Sequence, residues 1–263
     1  MSPDQARSDD VADPADFYTG LVAEAYSALR SHAFDPERYA AFVRAQGQPG
    51  LEVGCGAGEP LLHLVRDGLD VDGVDSSSDM IRRARAEARR QGLDVGLHVA
   101  RMEEMDLGRQ YRSIYLAGPT FELLPDDDLA LRALEVFRRH LSPGGTIMVP
   151  LWIAEPTPAV QLGVPREAVD DDGTVLRYTA LSEEYDPARR TRRTAVTYER
   201  IPTVGPPEVV DRLWVIHWQT RQTIADLAAR AGLAVREVDP PSAPGDCEPG
   251  EPGEEFTAFL THA

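Results

Sequence analysis

The chain has 263 residues, 42% hydrophobic and 27% charged, enough for one well-buried domain with room for a subdomain. Its formal charge is −17 and all 27 basic residues are arginine, so no nucleic-acid partner is expected; a phosphate footprint needs a basic face. No apolar run nears the ~18 residues of a membrane span, and the acidic start MSPDQARSDDVADPADF is not a signal peptide, so a cytoplasmic protein is expected.

Helical periodicity over DFYTGLVAEAYSALRSH (16–32) predicts a first helix, and Asp35-Pro36, an N-cap with a first-turn proline, opens a second over PERYAAFVRAQG. From Leu51 strands and helices alternate. LEVGC is a strand, EPLLHLVRDG a helix stopped at Gly68, and LDVDGVD a strand. SSDMIRRARAEARRQG follows as a helix capped by Ser76 or Ser77 and stopped at Gly92. GLHVAR, SIYLAG and TIMVPLW are further strands, the last two separated by a helix over DDDLALRALEVFRRHL that ends at Ser142-Pro143-Gly144-Gly145. This rhythm predicts an α/β fold, a parallel sheet with helices on both faces.

After Trp152 the rhythm breaks into three strand-like runs, VLRYTALSEEY, RRTAVTYERI and VVDRLWVIHW, which predict an antiparallel β insertion. The core resumes with a helix, TIADLAARAGL, and a strand, AVREVD. A loop poor in apolar residues, PPSAPGDCEPGEPGEE, is expected to be mobile, and FTAFLTH is the final strand. The domain boundaries are set at 1–46, 47–152, 153–218 and 219–263. Cys55 and Cys247 lack ligand or disulfide-framework spacing and the six histidines are scattered, so no metal is expected.

The chemistry sits at the first two strands. Gly54, Gly56 and Gly58 follow strand one, where they admit a ligand close to the backbone, and Asp75 ends strand two beside them. An acid there accepts hydrogen bonds from ribose hydroxyls, so the pair of features calls for a nucleoside. The spacing is G-x-G-x-G, and Glu59 stands where a dinucleotide site wants its third glycine. A diphosphate is disfavoured, and Glu52 adds an acid suited to an ammonium group. A nicotinamide oxidoreductase is the weaker alternative, as is a non-catalytic binding or regulatory protein.

EVGCGAG (52–58), GVDSSSDM (73–80), RMEEMDL (101–107) and HLSPGGT (140–146) together resemble the class I S-adenosylmethionine-dependent methyltransferases. The insertion resembles that of sugar-amine N-methyltransferases from antibiotic pathways. The resemblance implies a Rossmann-like seven-stranded methyltransferase sheet, with residues 1–46 as an N-terminal helical lid and 153–218 as an acceptor cover. It implies S-adenosyl-L-methionine as donor, S-adenosyl-L-homocysteine as product, and a small-molecule acceptor, in a monomer or a homodimer. Glu52, Gly54, Cys55, Gly56 and Gly58 would hold the methionine moiety. Asp75 would hold the ribose, with Ser76 and Met80 on the adenine side and Met102 and Glu103 closing over it. Ala117 and Gly118 would lie under the sulfonium, and Tyr18 or Tyr26 would act as lid. Arg101 and Arg112 depart from the family's pattern, each standing where an acid is common.

The acceptor pocket is expected from GPTFELL, LWIAEP and the inserted sheet. Glu122 is the first candidate for a general base or amine anchor, and His217 the second, against the plainer reading of a packed sheet histidine. Phe121, Trp152, Tyr178, Trp214 and Trp218 are the aromatic candidates for lining that pocket.

Overall fold

The computed structural model describes residues 17–29, 34–170, 172–239 and 250–263. Two short helices, α1 (Gly20–Leu29) and α2 (Pro36–Gln46), precede the sheet. Asp35 caps α2 through a bond from the Glu37 N–H, with Pro36 in its first turn as its sequence requires. The expected helix over 16–32 starts later, at Gly20, and residues 16 and 30–33 lie outside the described residues.

Five parallel strands then alternate with helices. They are β1 (Gly50–Val53), β2 (Val71–Asp75), β3 (Leu97–Val99), β4 (Tyr111–Leu116) and β5 (Leu141–Trp152). The helices between them are α3 (Leu61–Arg66), α4 (Ser78–Gln91) and α5 (Asp127–His140). After an inserted sheet come α6 (Arg221–Arg230), β10 (Leu233–Asp239) and β11 (Glu255–His262). The seven-stranded order is β10-β11-β5-β4-β1-β2-β3, with β11 antiparallel to both neighbours. β1 is buried along its whole length because it pairs with β2 on one side and β4 on the other. Strand order reverses there, which opens a crevice at the carboxyl ends of β1, β2 and β4.

Ser77, rather than Ser76, caps α4 by accepting the Met80 N–H, and Gly92 ends that helix in a left-handed conformation. Ser142 to Gly145, expected to end the preceding helix, follow α5 and form the irregular start of β5. The register shifts between Tyr111 and Ser113, and Arg112 reaches across to donate to the Pro143 carbonyl at 2.8 Å. Arg112 is therefore a structural brace between β4 and β5.

The insertion is a four-stranded antiparallel sheet of β6 (Pro165–Val169), β7 (Val175–Asp186), β8 (Thr191–Ile201) and β9 (Glu208–His217). β6 was not expected. It is an exposed edge strand that opens on a proline and carries alternating charge, so it lacks the apolar signature of a strand. One face of this sheet turns inward. Leu176, Tyr178, Tyr198 and Val210 receive Leu21, Ala25 and Leu29 of α1, while Ala180 and Val196 pack on Phe17 and Val22. Farther along the same face, Trp214 and Ile216 join the main core, whose centre is formed by Leu51, Ile114, Phe137 and Ile147. The sheet thus roofs both the N-terminal segment and the ends of β4 and β5. Of the loop expected to be mobile, residues 240–249 lie outside the described residues. No helix among the described residues is long and apolar enough to cross a membrane.

Candidate active site

β1 ends at Val53, and its extension bonds to β2, with the Gly54 and Cys55 N–H groups both donating to the Val74 carbonyl at 2.8 and 3.0 Å. The loop then turns through Gly54 and Gly56, at φ +74° and +52°. A side chain at Gly54 would collide with Thr120, whose Cγ2 lies 2.4 Å from a Cβ built there. A Cβ at Gly56 would meet nothing within 4 Å and would stand in open space above the loop. Asp75, at the end of β2, clamps this loop: its Oδ2 accepts the Gly56 N–H and its Oδ1 the Ser77 N–H, each at 2.8 Å. Burial pushes the Asp75 carboxyl above its usual range, and the two N–H bonds pull it back. Each oxygen keeps a second lone pair.

Two clefts meet over this loop, sharing Tyr26, Gly54, Gly56 and Thr120 in their walls. The first runs over β2 and is lined by Asp75, Ser76, Met80, Met102 and Glu103, with Tyr18 on its rim. The second runs over the glycine loop, past Cys55, Gly58 and Ala117, toward α3 and α4. Twelve of the fourteen residues expected at a cofactor site therefore line one continuous crevice.

The other two lie beneath it. Glu52 faces Tyr115 directly across the β1–β4 ladder, and the Tyr115 hydroxyl donates to its Oε2 at 2.8 Å. The side chain is fully buried, its Oε1 has no partner, and burial pushes the carboxyl up to about 8. Gly118 donates its N–H to the Tyr39 hydroxyl at 3.1 Å, just past the crevice wall.

The N-terminal segment closes the crevice from above. Tyr18 and Tyr26 meet edge to face with centroids 5.3 Å apart. The Ser77 hydroxyl donates to the Tyr18 carbonyl at 2.5 Å, and Asp79 accepts the Gly20 N–H at 2.7 Å. The N-terminus of α4 thus carries both the Asp75 clamp and the fastening of the lid.

Sequence reasoning missed Ala100 after β3 and Pro125 after β4 in the first cleft, while Thr120, Leu123 and Leu124, from the GPTFELL segment expected at the acceptor pocket, also line it. Thr120 and Leu123 belong to a 3-10 turn over Thr120–Leu123, whose Gly118-Pro119 lead-in was a legible turn signal. Arg101, one of the two departures from the family pattern, lies in that wall with Nη1 3.5 Å from Glu103 Oε1.

The acceptor-side candidates separate. Glu122 is fully buried and accepts the Trp152 N–H at 2.7 Å through Oε1; Oε2 has no partner. Burial drives its carboxyl well above the usual range, with Arg192 pulling the other way. Trp152 and Trp214 stand on either side of the Arg192 guanidinium, 4.9 and 5.4 Å from their ring centroids. Tyr178 lies on the inner face of the insertion, edge to face with Tyr198 at 5.2 Å and beneath α1. Phe121 points the other way, into the core against Phe137. Trp218 is buried there too, stacked on Tyr185 at 5.3 Å. His217 lies in a separate polar knot with Gln219, Asp127 and Arg190, its Nε2 3.7 Å from Asp127 Oδ1. It lines neither cleft, and burial holds its pKa below the ordinary histidine value.

Comparison with known proteins agrees with this geometry. Residues 51–145 match the family model described as a methyltransferase domain. The chain is 31% identical over 159 residues to the dTDP-3-amino-3,6-dideoxy-alpha-D-glucopyranose N,N-dimethyltransferase of Streptomyces fradiae. That match covers 57% of this chain and 61% of the relative. It is also 31% identical over 106 residues to the dTDP-3-amino-3,4,6-trideoxy-alpha-D-glucopyranose N,N-dimethyltransferase of Streptomyces venezuelae, covering 40% of this chain and 43% of that one. The chain thus spans less than two thirds of the length of either relative. Among solved structures, the SAM-bound amino pentose methyltransferase CalS10 from Micromonospora echinaspora superimposes with a TM-score of 0.65 at 21% identity. That superposition covers 93% of this chain and 98% of the other. The motif-bearing strands, the crevice at their reversal point and these likenesses converge: the chain carries a methyltransferase domain at residues 51–145, within a Rossmann-like fold.

Proposed function

We propose that the chain transfers a methyl group from S-adenosylmethionine to an amine of a small, sugar-like acceptor in secondary-metabolite biosynthesis. The observation that carries this reading is the pairing of Asp75 with the open backbone at Gly56 in one crevice. That pairing fits a nucleoside whose far end is an amino acid: the carboxylate takes ribose hydroxyls, and the bare loop takes a moiety that a Cβ would displace. Both curated relatives act as N,N-dimethyltransferases on dTDP-amino sugars, which supports an amine acceptor.

When bound, S-adenosylmethionine supplies a methyl carbon on a positively charged sulfur, open to in-line displacement. The chain's own residues hold and exclude. Asp75 grips the ribose, Met80 and Met102 flank the base, and the loop from Gly54 to Gly58 carries the amino-acid end. Thr120 lies between those ends, where the two clefts meet, and its hydroxyl donates to the carbonyl of Ala117 in the wall of the second. Phe17, Tyr18 and the inserted sheet keep water from the reacting atoms, and positioning with desolvation supplies much of the rate. An amine reacts only when unprotonated, and exclusion of water from the crevice favours that uncharged form.

Incubation with methyl-labelled S-adenosylmethionine and the S. fradiae relative's amino sugar tests the reading, beside calorimetry with S-adenosylhomocysteine (SAH). Label in the sugar amine is the expected result. Absence of measurable SAH binding would sink the proposal.

A further inference from the structure

The turn between β7 and β8 ends on a residue that its local setting disfavours. Among the described residues Arg190 is the one non-glycine in the left-handed region, at φ +57°, a position that suits glycine or asparagine. Its guanidinium also lies at the start of α5, where the helix dipole repels a cation. Two local rules broken at one residue point to a side chain kept for what it holds.

Arg190 bridges three segments. Its Nη2 donates to Asp127 Oδ2 in the first turn of α5. Its Nη1 donates to Gln219 Oε1 at 2.7 Å and to the Trp218 carbonyl at 3.1 Å, beyond the end of β9. The Arg190 carbonyl accepts the Trp218 N–H at 3.0 Å, and Gln219 closes the ring by donating to Asp127 Oδ1 at 3.2 Å. Burial raises the Asp127 carboxyl, yet the bonds from Gln219 and Arg190 outweigh it and hold the group below its usual range.

Asp127 belongs to the segment that walls the base end of the crevice. Leu124 and Pro125 before it and Leu129 after it line the first cleft, as Met80 and Met102 do. Asp126, next to Asp127, caps α5 by accepting the Leu129 N–H at 2.8 Å, which ties both sides of Asp127 into one piece. Among the described residues, none of the insertion lines either cleft. The insertion therefore acts on this wall through what it grips, and Arg190 grips Asp127.

We propose that Arg190 is a positioning residue for the cofactor: by fixing Asp127 it seats residues 124–129 against the adenine, so that cofactor affinity depends on the insertion being in place. This rests on the methyl-transfer reading above and adds to it a residue of the insertion that sets how tightly the donor is held.

Calorimetric titration with SAH and urea unfolding of Arg190→Gly, Arg190→Ala and Arg190→Lys test it. Without the bridge the wall is seated only part of the time, and apparent affinity falls by that fraction. Arg190→Gly and Arg190→Ala are expected to bind SAH about 10-fold more weakly than wild type, and equally. They differ in stability, since glycine relieves the left-handed strain and gives the higher urea midpoint. Arg190→Lys, which keeps a cation without the planar fork, recovers about threefold of the lost affinity. In an Asp127→Asn background, Arg190→Gly weakens binding by less than ~2-fold more, because the bridge is open already.

A merely structural role makes SAH affinity follow folding stability, with Arg190→Gly near wild type. A folded Arg190→Gly protein that binds SAH within twofold of wild type, affinities that rank with the urea midpoints, or a larger further loss in the Asp127→Asn background overturns the inference and leaves the methyl-transfer reading standing. Absence of SAH binding by the wild type overturns both.

Discussion

Replacing Asp75 with alanine isolates the one side chain on which the cofactor reading depends. Each of its oxygens accepts a single backbone N–H, from Gly56 or Ser77, at 2.8 Å, which leaves one lone pair per oxygen for the crevice. Two charge-assisted bonds to ribose hydroxyls contribute about 1.5–3 kcal/mol each. Water entering the shortened site returns part of this, so the net loss is about 3 kcal/mol, or ~150-fold in affinity at ~1.4 kcal/mol per decade. The same change frees the Gly56 and Ser77 amides and lowers folding stability by about 1–2 kcal/mol. Asp75→Asn keeps the shape but sets an amide NH2 against one of the two N–H donors, and is expected to bind SAH ~10- to 30-fold more weakly than wild type. Calorimetric titration with SAH at pH 7.5 reads both variants, with urea unfolding to verify that each is folded. A folded Asp75→Ala protein that binds SAH within threefold of wild type refutes the assignment of ribose to this carboxylate.

Gly54→Ala is expected to weaken SAH binding at least 10-fold, since a left-handed alanine costs about 1–2 kcal/mol and its Cβ meets Thr120 Cγ2. Adding Thr120→Ser removes that methyl and recovers part of the loss; no recovery would show that the contact is not responsible. Glu52→Gln tests the buried acid under the loop. The Glu52 pKa is about 8 in the fold against 4.5 for the free side chain, so its contribution is fully present below pH ~4.5 and lost as pH rises through 8. The variant should gain about 2–4 kcal/mol on wild type between pH 4.5 and 8.5 in urea titrations, whereas a difference constant with pH contradicts the assignment. Ser77→Ala removes the α4 cap and the lid's fastening to Tyr18; stability should fall by about 1 kcal/mol and SAH affinity several-fold by calorimetry. His217→Gln is expected to leave kcat within threefold, and a loss of 100-fold or more would return that residue to the reaction.

Much of this protein could be read along the chain because its signals are local. The glycine loop, the acid closing β2, the Ser77 cap and the alternation of strand and helix depend on backbone conformation and periodicity, which neighbouring residues largely dictate. Twelve of the expected cofactor residues accordingly line one crevice. The edge strand β6 stayed hidden because an exposed, charged strand opening on proline has no apolar periodicity to show. Side-chain direction was the other limit. Glu52 is an acid next to a glycine loop in sequence, yet strand register turns it toward Tyr115 and away from the crevice. Phe121 and Glu122 are adjacent in one turn, yet one packs on Phe137 and the other reaches Trp152. Arg192 lies in the arginine-rich run ARRTRR (188–193), which carries no local signal of burial. Only the folding of the insertion over the ends of β4 and β5 sets it over two indoles, because that contact brings Trp152 and Trp214, 40 and 22 residues away in the chain, to Arg192, and no local pattern encodes it.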